Sequence, residues 1–146
     1  MMSAMKNALN QQLANWIVAE MKLRRFHWQV KGPHFFTLHA KFEELYEEAA
    51  THIDELAERI RALGNDALTT LTEALKLATV KEAEGTPSAE EMVKAVVQDF
   101  ESMVGELQTA LAFSESVGDE VSHDLLLAIQ AGLQKHVWML RSFLGE

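Results

Sequence analysis

The stretch His27-Trp28-Gln29-Val30-Lys31-Gly32-Pro33-His34-Phe35-Phe36-Thr37-Leu38-His39 sets two histidines on either side of a Gly-Pro break. Downstream, Asp54-Glu55-Leu56-Ala57-Glu58-Arg59 offers two carboxylates four residues apart. Imidazole and carboxylate donors together suit Fe, Zn, Mn or Co. Leu38 to Leu63 contains neither Gly nor Pro and reads as one helix. On it His39 and Asp54 are fifteen residues apart. At about 1.5 Å per residue that is roughly 22 Å along the axis, too far for one metal ion. Fifteen steps of about 100° bring the two back to nearly the same face. If both serve one site, a second copy of the helix must run antiparallel and supply the other half. The spacing therefore predicts a two-fold contact with metal sites across it.

Reading outward, a helix is expected from about Lys6 to Val30, with Leu9, Leu13, Trp16, Ile17, Met21, Leu23 and Phe26 as its apolar stripe. Gly32-Pro33 ends it. The second helix, from about Thr37 to Leu63, carries the stripe Phe42, Leu45, Tyr46, Ala49, Ile53, Leu56, Ile60 and Leu63, with Gly64 placed to terminate it. A second stripe runs beside the first: His39, Glu43, Glu47, Ala50, Asp54 and Glu58. The connection from Asn65 to Val80 has a short helix of its own, opened by the Thr70/Glu73 capping pair. Ser88 and Glu91 repeat that spacing and start the third long helix, which runs to about Ser116. Gly118 breaks it, Asp119 caps the next, and the last helix reaches about Leu144 with Val121, Leu125, Ile129, Leu133, Val137, Leu140 and Phe143 expected inward. No strand pattern competes. The expected fold is an all-α four-helix bundle with an extra short helix in the connection between helices two and three, as one domain over residues 1–146.

Composition narrows the function classes. There is no cysteine, which excludes thiolate zinc sites, iron–sulfur clusters and disulfides. The formal net charge is −9, from 22 acidic against 13 basic residues, and only Lys6 is basic among the first twenty. That argues against a nucleic-acid surface, which needs clustered Lys and Arg. No apolar run approaches the roughly 20 residues that span a bilayer, no signal peptide is recognisable, and a cytoplasmic location is expected. Single histidines most often pack or face solvent, and His34, His52, His123 and His136 are read so. Glu44, paired with Lys41, and Glu48 read as a solvated face.

Two motifs carry a family resemblance: His-Trp-x-Val-x-Gly-x-x-Phe-x-x-Leu-His over His27 to His39, and Asp-x-Leu-Ala-Glu-Arg over Asp54 to Arg59. With the helix order over nearly the whole length, the chain resembles Dps, the mini-ferritins of the ferritin-like superfamily. The resemblance implies a ferroxidase and iron store: a hollow shell of twelve subunits in which Fe(II) is oxidised, preferentially by hydrogen peroxide, and held as a ferric oxide core. It implies two-iron centres at two-fold interfaces, with His27 and His39 from one subunit and Asp54 and Glu58 from its partner. Glu43 falls where the family often places an acid near the second iron. Trp28, after the first histidine, falls where a sacrificial electron donor is expected. Iron would enter through acidic pores at three-fold axes, for which Glu120 and Asp124, then Glu115, are the candidates beside Asp119. Arg24 stands where close relatives often have histidine. The DNA-binding members carry a basic terminal arm that this sequence lacks, so direct DNA binding is not expected. A nucleoid-condensing protein and a shell or signalling protein with a degenerate metal site are the competing classes; the first lacks its basic surface, and the intact four ligands oppose the second.

Overall fold

Gly32 takes a positive φ of 110°, a region that a side chain would make costly, and with Pro33 it turns the chain back on itself. The computed structural model describes residues 2–146, the side chains from residue 4 onward. It has α1 (Met2–Gln29), α2 (Phe35–Ala62), α3 (Leu71–Leu77), α4 (Ala89–Ser116) and α5 (Glu120–Phe143), and no strand among the described residues. The all-α four-helix architecture with a short connecting helix is as the sequence predicts. Boundaries differ by a few residues, chiefly because α1 extends toward the N-terminus.

Helix ends are set by local chemistry. After α2, Gly64 N–H donates to the Arg61 carbonyl and Asn65 N–H to the Ile60 carbonyl, a Schellman closure that needs the positive φ of Gly64. Thr70 caps α3 by accepting from Glu73 N–H, and Ser88 and Glu91 form a reciprocal capping box at α4. The Asp119 side chain accepts from Ser122 N–H at α5. His34 occupies the N-cap of α2 without a side-chain capping bond; its ring lies edge-on to Phe143 instead.

Ion pairs fix the helix directions. Lys22 pairs with Asp99 at 2.8 Å and Asn15 donates to Glu106 at 3.1 Å, so α1 and α4 run antiparallel. Glu48 meets His136, and Arg59 meets Asp119, so α2 and α5 also run antiparallel. The connection through α3 therefore crosses the length of the bundle. The core between the helices is built on Trp16, Phe26, Phe42 and Phe100, all essentially fully buried. On α5 the inward stripe differs from expectation. Val121 is 62% exposed and Phe143 lies at the margin, while Leu126 and His136 are buried. Leucines at three successive positions, 125 to 127, give the sequence no preferred phase, and packing selects Leu126.

Asn10 and Asn15 hold the crossover. Asn10 Oδ1 accepts from Leu68 N–H. Asn15, fully buried, accepts at Oδ1 from the N–H groups of Thr79 and Val80. These two amides on α1 satisfy buried backbone donors at both ends of the α3 segment.

Candidate metal centre

His27, in the last turn of α1, and His39, in the second turn of α2, face each other across the Gly-Pro turn. Their rings stack with centroids 3.7 Å apart and planes 15° from parallel. His27 Nδ1 lies 2.7 Å from the His39 carbonyl oxygen, and His39 Nδ1 lies 2.7 Å from the His27 carbonyl oxygen. A carbonyl only accepts, so each Nδ1 carries the proton and each Nε2 presents its lone pair. This pairing of an imidazole N–H with a backbone carbonyl is how metal-binding histidines are held in the ligating tautomer. Glu43, one turn after His39, places Oε1 3.8 Å from His27 Nε2. Glu43 thus lies beside His27, whose ring stacks on that of His39.

Asp54 and Glu58 lie on the same continuous helix as His39 and are exposed. The helix is unbroken from residue 35 to 62, so the axial separation of roughly 22 Å from His39 to Asp54 stands. Among the described residues no three His, Asp or Glu side chains of one chain converge to hold a metal ion. One chain carries two separated groups of candidate ligands, His27 and His39 near Glu43, and Asp54 with Glu58 further along α2. Trp28 follows His27 in the chain and is 64% exposed.

The profile of the ferritin-like domain family matches residues 6–146. A Brevibacillus brevis protein named DNA protection during starvation protein is 55% identical over 136 residues, covering 93% of this chain and 91% of that one. General stress protein 20U of Bacillus subtilis is 51% identical, covering 94% and 95%. The chain belongs to the Dps group of the ferritin-like family. Among solved structures, a Dps protein from Bacillus brevis superposes with a TM-score of 0.97 at 52% identity, covering 98% of this chain and 96% of that one. Dps from Staphylococcus aureus gives 0.95 at 50% identity, covering 96% and 94%. Membership associates the chain with iron storage and oxidative protection in general.

Other Dps motif residues have structural work. Arg59, which closes the second motif, donates from Nη2 to Asp119 Oδ1 at 3.0 Å and from Nε to Ser122 Oγ at 2.9 Å. It ties the carboxylate end of α2 to the start of α5. Burial pushes the Asp119 carboxyl up, but hydrogen bonds from Ser122 and the Arg59 guanidinium outweigh it and hold the group below its usual range. The pore candidates Glu115, Glu120 and Asp124 are exposed and line one cavity of about 300 Å³ with His123.

Glu48 corrects the reading of a solvated face. Its carboxylate is bound from both sides, by His136 Nε2 at 3.0 Å and His52 Nε2 at 3.2 Å. The Lys41 ammonium, 3.4 Å from His136 Nδ1, has only protons to give. His136 Nδ1 must accept, so its Nε2–H donates to Glu48 and this pair is an internal clasp between α2 and α5. Glu44 does pair with Lys41, at 2.6 Å, as expected. Burial raises the Glu48 carboxyl, yet the hydrogen bonds from His136 and His52 prevail and lower it from 4.5 to about 2. A depressed carboxylate stabilises the fold above its unfolded value, and the contribution is lost as pH falls from about 4.5 toward about 2. Discounted for partial exposure, Glu48→Gln is expected to cost on the order of 2 kcal/mol at neutral pH. Denaturant titrations should show the gap to wild type narrowing through that acid window; a constant gap would contradict the clasp.

Tyr46 is the residue whose place the sequence obscured. It sits in the apolar stripe, but its ring meets His27 edge-on at 5.3 Å, and the Arg24 guanidinium lies 4.1 Å over its face. The signal was its spacing, three residues after Glu43 and seven after His39 on one helix.

Proposed function

We propose that this Dps chain is a ferroxidase that takes Fe(II) and, preferentially, hydrogen peroxide as substrates at centres shared by two antiparallel copies. The ferric product is stored as an oxide inside a hollow, dodecameric shell in the cytoplasm, which limits oxidative damage. The observation that carries this reading is the reciprocal Nδ1–carbonyl pairing of His27 and His39, which leaves both Nε2 lone pairs available, that of His27 3.8 Å from Glu43 Oε1. His27 and His39 of one copy and Asp54 and Glu58 of the other bind the iron. Glu43 serves the second iron. Carboxylates favour Fe(III) over Fe(II), so the acidic half assists oxidation as well as binding. Each of two Fe(II) ions gives one electron to a peroxide; its O–O bond breaks, and two protons complete two waters. Using both electrons at once avoids hydroxyl radical.

Glu115, Glu120 and Asp124 are proposed to line an entry pore that concentrates cations. Trp28 is proposed as a redox-active neighbour of the centre. No helix among the described residues is long and apolar enough to cross a membrane. Direct DNA binding is outside this reading, because the net charge of −9 repels phosphate. Retardation of DNA at low salt would reverse that.

The test is anaerobic Fe(II) loading followed by peroxide, reading ferric absorbance and residual peroxide together. One peroxide consumed per pair of irons, with soluble iron co-eluting with protein, is the expected outcome. No acceleration over buffer, or ferric precipitate outside the protein, would assign the ligands another role.

A further inference from the structure

We infer that Tyr46 is the electron donor of a centre that holds a single iron, an inference that rests on the ferroxidase reading above. Hydrogen peroxide needs two electrons to reach water, and one Fe(II) supplies one. Without another donor, O–O cleavage at a half-loaded centre releases hydroxyl radical. The donor must be an oxidisable side chain in contact with a ligand.

Tyr46 meets that condition within the chain. Its ring touches the His27 ring edge-on at 5.3 Å, and His27 in turn stacks on His39 at 3.7 Å. Trp28 has no aromatic contact with either histidine among the described residues, and its ring is 64% exposed. One step along α1 from His27, it is turned by about 100° from that ligand. Arg24 shapes the chemistry of the tyrosine. A guanidinium 4.1 Å above the ring opposes positive charge on it, so the electron leaves together with the phenolic proton. The product is a neutral phenoxyl radical. The step balances: Fe(II), the phenol, hydrogen peroxide and one proton give Fe(III), the phenoxyl radical and two waters. The O–O bond breaks, and both the iron and the phenol are oxidised by one electron.

Tyr46 is the one tyrosine in the chain, which makes the assignment testable without ambiguity. Assembled protein carrying one Fe(II) per centre is mixed with hydrogen peroxide, freeze-quenched, and read by electron paramagnetic resonance. The expected result is an organic radical whose hyperfine structure narrows when the protein is grown on ring-deuterated tyrosine. Tyr46→Phe, which keeps the ring against His27, should lose that signal and release more spin-trapped hydroxyl radical at half loading. At full loading it should oxidise iron at the wild-type rate. A signal unchanged by tyrosine deuteration, or one that persists in Tyr46→Phe, overturns the inference while fully loaded centres still turn over. Failure of fully loaded wild-type protein to oxidise iron faster than buffer overturns the ferroxidase reading, and the inference with it.

Discussion

Glu58→Ala and Asp54→Ala are each expected to abolish fast iron oxidation while leaving the fold and the assembly in place. Both side chains are exposed on α2, and neither makes a side-chain hydrogen bond or ion pair among the described residues. Their removal leaves no buried partner unsatisfied, so the cost to the fold should stay within about 0.5 kcal/mol. The cost to chemistry is different in kind. Each carboxylate is proposed as a direct ligand, and outer-shell partners of ligands alone are worth about 10- to 100-fold. Loss of a ligand should exceed the upper end of that range. Stopped-flow ferric absorbance with size-exclusion chromatography on the same samples separates the two effects. A variant that oxidised iron at the wild-type rate would remove its residue from the mechanism.

The second large effect is on stability. Asn15→Ala is expected to cost about 3 kcal/mol. Asn15 is fully buried, and its Oδ1 is the acceptor for Thr79 N–H at 2.8 Å and Val80 N–H at 3.2 Å. Alanine strands those donors and leaves Glu106 without the amide that reaches it at 3.1 Å. The segment from α3 to α4 should loosen first. Denaturant unfolding at fixed protein concentration reads the total, since assembly contributes by mass action. Hydrogen exchange should rise most at Thr79 and Val80. A loss below about 1 kcal/mol would mean that the crossover is held by packing alone.

What the sequence made legible follows from how each signal is written. Capping pairs at Thr70/Glu73 and Ser88/Glu91, and the Gly64 and Gly118 terminators, act within a few residues, so helix ends could be read locally. The candidate half-sites were legible because residue spacing on a helix is distance in space. That one chain cannot join His39 to Asp54 follows from helical rise alone, whereas the two-fold partner is still an inference. Three features escaped because they depend on contacts between helices distant in sequence. Glu48 looked like part of an acidic face until α5 brought His136 against it, 88 residues away. The phase of α5 was hidden by consecutive leucines. Tyr46 read as core because a stripe does not tell which ring sits on its far side. The polar residues of the first helix carry no periodic signal for a partner, although Asn10 and Asn15 among them hold the crossover.

The oxidation centre is proposed to be split between two copies of the chain, and mixing two complementary variants separates that arrangement from a single-chain centre. One variant, His27→Ala/His39→Ala, lacks the imidazole half; the other, Asp54→Ala/Glu58→Ala, lacks the carboxylate half. Each is expected to be inactive alone. Co-expressed or reassembled together, they form mixed two-fold pairs in which one of the two centres has all four ligands. Random mixing should restore about a quarter of the wild-type peroxide-dependent iron oxidation. Mixed assemblies as inactive as either parent would place both halves of the centre in one chain, or outside these residues altogether.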